Sequence, residues 1–290
     1  MLGLPPEVRA LLFDLDGVLT RTATLHAAAW KQMFDDFLAG LDGAQPPFTD
    51  RDYDRYVDGR PRLDGTRAFL ASRGITLPEG TPGDAPGTAT VQGLSNRKND
   101  LVLAKMASEG VEVYPGSVRY VDAARQAGLG TAVVSSSANA QDVLRSAGLS
   151  DRFDAVVDGR VAGEQGLAGK PAPDTFLAGA WALGVGPGEA AVFEDAIAGV
   201  EAGRAGNFAR VVGVDRVGQA DELARHGADV VVTDLAELLD EPAPAPAAAA
   251  AAPETAGPGG PHEPDPEPAQ AERDEGGGPE AGGAASGAPA

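Results

Sequence analysis

Five short apolar runs, each ending abruptly at a polar or acidic residue, constrain the fold of this chain more than any other feature. The runs cover residues 8–13, 131–134, 190–193, 210–214 and 229–232. Nearly continuous apolar runs of this length are typical of strands buried on both faces of a parallel sheet. Helical patterns separate them, and each is followed by a glycine that indicates a helix end, at Gly128, Gly148, Gly184 and Gly203. This alternation predicts a doubly wound, Rossmann-like α/β fold.

A long interval separates the first strand from the second. Residues 22–113 contain helical patterns at 25–38, 63–73 and 97–108, a Gly/Pro-rich loop at 78–93 and no convincing strand. Because a crossover between parallel strands needs only about a dozen residues, the interval exceeds what a connection requires. We therefore expect an inserted α-helical cap domain. The Rossmann-like core would then consist of residues 1–21 and 114–240.

The C-terminal segment differs from the rest of the chain in composition. Residues 241–290 are dominated by Ala, Pro, Gly and acidic residues, which predicts a disordered acidic tail because such a segment cannot bury enough apolar area to fold. The formal net charge of −20 argues against nucleic-acid binding, which needs a basic surface. No signal peptide or membrane-spanning run is recognisable, and there are no cysteines. These features predict a cytoplasmic protein with no membrane partner.

Two carboxylates follow the first strand, in Phe13-Asp14-Leu-Asp16-Gly17. Asp14 is placed to attack phosphorus and form an aspartyl-phosphate. Asp16 is placed to exchange a proton with the leaving and accepting oxygens. An alternative interpretation is a turn with helix-capping aspartates, which is common in α/β proteins. Taken alone, the motif indicates phosphoryl transfer only moderately well.

Three further motifs follow later strand ends. The run 135–139, Ser-Ser-Ser-Ala-Asn, offers hydroxyls and N–H groups for a phosphate, although it is also typical of an ordinary helix cap. Lys170 precedes a proline-initiated helix and could neutralise a phosphoryl group, although most lysines are merely exposed. Glu194-Asp195 ends another strand with hard oxygen ligands. The candidate ligands for Mg²⁺ are Asp14, Asp16, Glu194 and Asp195.

In this order, the four motifs resemble those of the haloacid dehalogenase superfamily of phosphatases and phosphomutases. The resemblance covers residues 7–240. Dehalogenases of that superfamily lack the second aspartate, so Asp16 implies phosphoryl transfer. The Lys-Thr-Gly-Thr motif of its ATPases is not present.

The cap interval gives a finer resemblance, to the β-phosphoglucomutase family. The matching positions, which the resemblance makes candidate substrate-binding residues, are His26, Trp30, Arg62 in Gly59-Arg-Pro-Arg62, Lys98 in Arg97-Lys-Asn-Asp100 at a helix start, Ser135, Ser136, Ser137, Asn139 and Lys170. Without the resemblance, His26 would be an ordinary helix histidine, Trp30 a core residue, and Arg62 and Lys98 solvated charges.

The resemblance implies a monomeric, Mg²⁺-dependent phosphotransferase that acts on a small phosphorylated sugar. It would interconvert β-glucose 1-phosphate and glucose 6-phosphate through an aspartyl-phosphate and a glucose 1,6-bisphosphate intermediate. A sugar-phosphate phosphatase of the same fold is the alternative, and a catalytically silent binding module is a third possibility. Two departures from the family pattern stand out: Arg21 replaces a commonly acidic residue, and the loop 78–93 is long.

Overall fold

The computed structural model describes residues 2–43 and 45–240 of the 290. The predicted tail, residues 241–290, lies outside the described residues. The described elements between the first and second strands are all helical, as the sequence predicts for residues 22–113.

A six-stranded parallel sheet forms the centre of the described chain, in the order β3-β2-β1-β4-β5-β6. The strands are β1 (Ala10–Phe13), β2 (Gly130–Val134), β3 (Ala155–Val157), β4 (Ala190–Glu194), β5 (Arg210–Val214) and β6 (Val230–Val232). Phe13 at the end of β1 pairs in register with Val133 of β2 and Phe193 of β4. The residues that follow these three strands therefore meet at one edge of the sheet, where ligands bind in open α/β sheets.

Helices connect the strands in two groups. Between β1 and β2 lie α1 (Ala23–Ala39), α2 (Asp50–Asp52), a π-helical segment (Tyr53–Val57), α3 (Arg62–Ser72) and α4 (Val91–Glu109). The later helices are α5 (Pro115–Gln126), α6 (Ala140–Ser146), α7 (Gly159–Gln165), α8 (Asp174–Ala182), α9 (Ile197–Ala205), α10 (Ala220–His226) and α11 (Glu237–Asp240). None of the described helices is long and apolar enough to cross a bilayer.

Alternation along β1 divides the core of the sheet into two apolar clusters. Leu11 and Phe13 belong to one cluster, whereas Ala10 and Leu12 belong to the other, because successive side chains of a strand point to opposite faces. A third cluster lies among the helices between β1 and β2, where the ring of Phe34 contacts its aromatic neighbours Trp30, Phe48 and Phe69. These helices therefore have an apolar core of their own.

Two chain segments join these helices to the sheet. Thr20 and Val113 form an antiparallel bridge. The N–H of Arg21 donates to the carbonyl of Glu112 at 2.8 Å, and the N–H of Tyr114 donates to the carbonyl of Leu19 at 2.9 Å. The two linkers therefore run side by side and form one hydrogen-bonded pair, the paired hinge (residues 19–21 and 112–114).

The structure corrects the sequence prediction in several places. The edge strand β3 was not predicted. Helix α4 begins at Val91, capped by Thr90, so Lys98 lies inside a helix rather than at a helix start, and the loop 78–93 ends three residues early. Helix α9 continues to Ala205, so Gly203 lies within it and Gly206 is the C-cap. The short helices α2, α7, α10 and α11 were also not predicted.

The helix that follows the cis Lys170–Pro171 peptide carries an exposed aromatic side chain. Helix α8 packs its buried face against the sheet through Phe176 and Ala180. On its outer face, Trp181 is 64% exposed, which makes it the most exposed aromatic side chain among the large apolar residues described.

Candidate active site

Asp14, Lys170 and Glu194 form a buried cluster at the carboxyl edge of the sheet. The ammonium of Lys170 donates to Asp14 Oδ1 at 2.5 Å and to Glu194 Oε1 at 2.7 Å. Its third hydrogen bond goes to the carbonyl of Val134 at 3.0 Å. All three donor positions of the lysine are thereby used, which fixes its position between the ends of β1, β2 and β4.

Burial and charge pull the pKa values of this cluster in opposite directions. Burial raises the pKa of Asp14 to about 6, although the neighbouring Lys170 opposes the shift. Burial likewise raises the pKa of Glu194 to about 7, again against the effect of Lys170. For Lys170, burial lowers the pKa, but the two carboxylates outweigh burial and raise it above its ordinary value. Lys170 therefore stays cationic.

Three carboxylates at this edge are close enough to share a cation. Asp14, Glu194 and Asp195 each offer an oxygen, and these oxygens lie within 4.8 Å of one another. Burial, followed by repulsion from Asp58 and Glu194, raises the pKa of Asp195 well above its ordinary value. A divalent cation would relieve this repulsion, and carboxylate oxygens suit Mg²⁺ or Ca²⁺. The side chain of Asp16 does not belong to the group.

Glycines allow the backbone to approach these carboxylates. A Cβ on Gly17, which has φ of +92°, would lie 1.7 Å from Oδ2 of Asp195. A Cβ on Gly199 would lie 1.8 Å from Oε1 of Glu194. Both positions therefore require glycine.

Asp16 faces the helices between β1 and β2 rather than the acidic group. The Thr22 hydroxyl donates to Oδ1 of Asp16, and Nε2 of His26 lies 3.6 Å from the same oxygen. Burial raises the pKa of Asp16, and the Thr22 hydrogen bond opposes the shift. A carboxyl group with a raised pKa is suited to donating and accepting protons near neutral pH.

His26 lies between Asp16 and Lys98. The ammonium of Lys98 lies 2.9 Å from Nδ1 of His26. When it donates there, Nδ1 must accept, which leaves the ring proton on Nε2, facing Asp16. Burial, followed by the charges of Lys98 and Arg62, lowers the pKa of His26 well below its ordinary value, so the imidazole is neutral.

Lys98 is a buried cation on α4, only 4% exposed. Burial, followed by repulsion from Arg62, lowers its pKa to about 7, while Asp16 opposes the shift. Its ammonium lies 4.9 Å from the centre of the Trp30 ring, within the range of a cation–π contact. Trp30 therefore packs both in the apolar cluster and against the cation.

The serine loop after β2 carries hydroxyl and N–H groups. The N–H of Ser137 donates to Oγ of Ser135 at 3.1 Å, and the N–H of Asn139 donates to Oγ of Ser137 at 3.2 Å. The Ser136 hydroxyl donates to the carbonyl of Gly59 at 2.7 Å. The loop is thus locally closed, and one member contacts the segment that precedes α3.

An amide bridge joins α3, α4 and the serine loop. Arg62 Nη1 donates to Oδ1 of Asn99, and the side-chain amide of Asn139 donates to the same oxygen at 3.0 Å. The Arg62 Nε is buried and has no hydrogen-bond partner among the described residues. Arg62 therefore keeps a donor free for a ligand.

The predicted residues surround one cavity of about 310 Å³, near the lower end of the ~300–1,000 Å³ typical of ligand sites. Its lining includes Asp14, Asp16, His26, Trp30, Arg62, Lys98, Ser135, Ser136, Ser137, Asn139 and Asp195. Lys170 and Glu194 lie buried beneath it. No residue of the loop 78–93 is among its lining residues in the described part of the chain.

Sequence reasoning missed two further groups at the cavity. The Asp58 carboxyl hydrogen-bonds the Tyr53 hydroxyl and lies near enough to raise the pKa of Asp195. Burial raises the pKa of Asp58 itself to about 7. The second group that sequence reasoning missed is the side-chain amide of Asn99, which joins Arg62 to Asn139. Their positions beside Gly59 and Lys98 were the only sequence signal.

The sequence profile of the haloacid dehalogenase-like hydrolases matches residues 8–207. The chain belongs to this family. Among curated haloacid dehalogenase-like proteins, a β-phosphoglucomutase from Mycobacterium bovis is 57% identical over 247 residues, which cover 82% of this chain and 94% of the relative. A β-phosphoglucomutase from Bacillus subtilis is 34% identical over 235 residues, covering 80% and 92%.

A solved haloacid dehalogenase-like structure agrees with the fold. The crystal structure of β-phosphoglucomutase from Clostridium difficile superposes with a TM-score of 0.63 at 25% identity and covers 80% of this chain and 93% of that one.

Arg21, where the family pattern commonly has an acidic residue, pairs with Glu112 at 3.7 Å and lies over the Tyr114 ring. Its charge is therefore directed at the paired hinge.

Proposed function

We propose that this protein is a cytoplasmic, monomeric β-phosphoglucomutase that interconverts β-glucose 1-phosphate and glucose 6-phosphate. The observation that supports it best is the presence of two cationic sites at one cavity, one beneath it at Lys170 and one in its wall at Arg62 and Lys98. Lys170 and the serine loop lie beside Asp14, whereas Arg62 and Lys98 belong to helices between β1 and β2. A bisphosphorylated intermediate needs two such sites, whereas a simple phosphatase needs only the first.

The acidic group supports Mg²⁺ as the cofactor. Asp14, Glu194 and Asp195 would hold it, since their buried oxygens converge and burial, together with repulsion between the carboxylates, raises their pKa values. When bound, the ion would neutralise charge on the transferring phosphoryl group.

The first transfer begins from phospho-Asp14. The 6-hydroxyl of β-glucose 1-phosphate attacks the phosphorus, the Asp14–phosphate bond breaks, and Asp16 accepts the hydroxyl proton. Lys170 stabilises the charge on the phosphoryl oxygens and on the departing carboxylate. The products are glucose 1,6-bisphosphate and free Asp14.

The second transfer restores the phosphoenzyme. After the bisphosphate reorients, the Asp14 carboxylate attacks the phosphorus of the 1-phosphate, and Asp16 returns its proton to the departing oxygen. Glucose 6-phosphate leaves, and phospho-Asp14 is regenerated. Throughout, Arg62 and Lys98 would hold the distal phosphate, and neutral His26 would orient Asp16 through Nε2.

We further propose that residues 22–113 act as a mobile cap on the core of residues 1–21 and 114–240. The paired hinge and the separate apolar cluster support this division. Closure over the site would exclude water, which favours transfer to sugar over hydrolysis.

The test uses purified protein with Mg²⁺, β-glucose 1-phosphate and a trace of glucose 1,6-bisphosphate, with Asp14→Asn as the blank. Glucose 6-phosphate and free phosphate are followed together. Glucose 6-phosphate formation without phosphate release is the expected result. Phosphate release with little isomerisation would contradict the proposal and indicate a phosphatase.

A further inference from the structure

Arg216, in the loop after β5, reaches the carbonyls of the turn that follows Asp16. Its Nε donates to the carbonyl of Gly17 at 2.8 Å, and its Nη2 donates to the carbonyl of Val18 at 3.4 Å. Its Nη1 donates to the carbonyl of Thr233, after β6, at 2.5 Å. One guanidinium therefore joins the turn at residues 16–18, the catalytic turn, to the segment that follows β6.

Two further contacts hold the catalytic turn. Gly17 lies against Asp195, so closely that a Cβ would overlap the carboxylate. The carbonyl of Val18 also accepts from the Ser117 hydroxyl at 2.7 Å. Gly17 follows Asp16 directly in the chain. A movement of the Gly17 carbonyl therefore changes the direction in which the Asp16 carboxyl points.

Arg216 also contacts the paired hinge. Its guanidinium carbon lies 3.5 Å from the centre of the Tyr114 ring, and the guanidinium carbon of Arg21 lies 4.6 Å from the same centre. The Tyr114 N–H is the group that pairs with the first linker, at the carbonyl of Leu19. Arg216 thus contacts both the catalytic turn and the paired hinge.

We propose that Arg216 is a positioning residue that holds Asp16 in the geometry for proton transfer, acting through the carbonyl of Gly17. The proposal rests on the role assigned to Asp16 in the proposed function. The planar guanidinium makes three hydrogen bonds while stacking on an aromatic ring, an arrangement that a lysine ammonium cannot reproduce. Misplacement of a catalytic group by about 1 Å can cost about 100-fold in rate.

The test compares two phosphate donors that differ in their need for a proton. The p-nitrophenolate of p-nitrophenyl phosphate leaves without one, whereas the phenolate of phenyl phosphate leaves more readily when protonated. Single-turnover phosphorylation of Asp14 is measured with both donors in wild-type, Arg216→Met, Arg216→Lys and Asp16→Asn. Arg225→Met is the control, since Arg225 is an exposed arginine on α10 that pairs with Glu222.

In Arg216→Met, we expect the phenyl phosphate rate to fall by about 10–100-fold and the p-nitrophenyl phosphate rate by less than about threefold. Asp16→Asn should show the same selectivity and Arg216→Lys a partial form of it. Equal losses with both donors, or no loss with either, would overturn the proposal. If Arg216→Met does not fold, as judged by circular dichroism, Arg216→Lys supplies the same comparison.

Neither donor is a sugar, so the comparison does not depend on isomerase activity. A wild-type protein that fails to convert β-glucose 1-phosphate would overturn the proposed function alone. The presence or absence of a donor-selective loss of rate in the Arg216 variants bears only on the positioning role.

Discussion

Nζ of Lys98 lies 2.9 Å from Nδ1 of His26, and Nε2 of the same imidazole lies 3.6 Å from Oδ1 of Asp16. A buried cation on α4 is thereby connected, through a neutral ring on α1, to the carboxyl group after β1. The arrangement places the charge that would bind a phosphate one imidazole ring away from the group that would move a proton.

Replacing Lys98 by methionine should stabilise the protein while reducing its activity. The folded-state pKa of about 7 lies below the ordinary value of 10.5, so the unfolded chain binds more protons between these values. Wild-type stability therefore rises with pH across this window, and the gain from Lys98→Met is largest below pH 7. We expect a gain of about 1–4 kcal/mol in the free energy of unfolding.

Denaturant unfolding at pH 6 and pH 9, with Lys105→Met on the same helix as the control, measures this gain. Isomerase activity of Lys98→Met should fall at least about 100-fold, in line with the loss of a charged hydrogen bond to phosphate. A destabilised Lys98→Met protein would contradict the interpretation that Lys98 is retained for binding rather than stability.

The pH profile of kcat/KM for phosphorylation of free Asp14 by glucose 1,6-bisphosphate should have a narrow maximum. Asp14 must be ionised to attack, so the rate rises as pH passes about 6, its pKa in the cation-free site. Lys98 loses its charge above about pH 7, so phosphate affinity falls. Mg²⁺ should move only the acidic limb, to lower pH, and Lys98→Arg should remove the alkaline limb. An unchanged alkaline limb in that variant would assign it to another group.

Gly199→Ala should weaken cation binding. The new methyl group would overlap Oε1 of Glu194 and push the carboxylate away from Lys170 and from the acidic group. Disturbance of groups around metal ligands typically costs about 10–100-fold in affinity. Calorimetric titration with Mg²⁺ measures this, and Gly188→Ala is the matched control because an added Cβ there meets nothing within 4 Å. Equal affinities in the two variants would refute the prediction.

Arg62→Lys should raise KM for β-glucose 1-phosphate by about 10–100-fold, because lysine cannot reproduce the fork that serves both Asn99 and a phosphate. Phosphorylation by p-nitrophenyl phosphate, which has a single phosphate, should stay unchanged. The control is Arg67→Lys, since Arg67 lies on the same helix but pairs with the exposed Asp64 and Glu79. Equal losses with both substrates would place Arg62 at the Asp14 phosphate instead.

The sheet was predictable where burial on both faces leaves a continuous apolar run, as in β1 and β4. Strand β3 was not predicted, whereas the equally short β6 at the opposite edge was, because β6 consists of three valines and β3 begins with alanine. Helix α4 begins six residues before the predicted helical stretch because Thr90, a polar residue inside an apparent loop, caps it. Local composition does not distinguish these cases.

The chemistry of the site was predictable only one motif at a time. The motifs around Asp14 and Lys170 indicated phosphoryl transfer, but their separation of 156 positions hides the hydrogen bond that joins them. The bridge from Arg62 through Asn99 to Asn139 likewise depends on three segments that meet only in the folded chain. Asp58 carried no motif of its own, and its position next to Gly59 did not indicate that it lies beside Asp195.

The chain contains two tryptophans, and the fold places them in opposite surroundings. Trp181 is 64% exposed on the outer face of α8, whereas Trp30 is 3% exposed beneath the ammonium of Lys98. A dissolved quencher such as iodide would therefore reach the first indole and not the second. In a Trp181→Phe protein, the remaining fluorescence would come from a single indole in the cavity wall, so that ligand arrival and cap movement become optical signals without any attached dye.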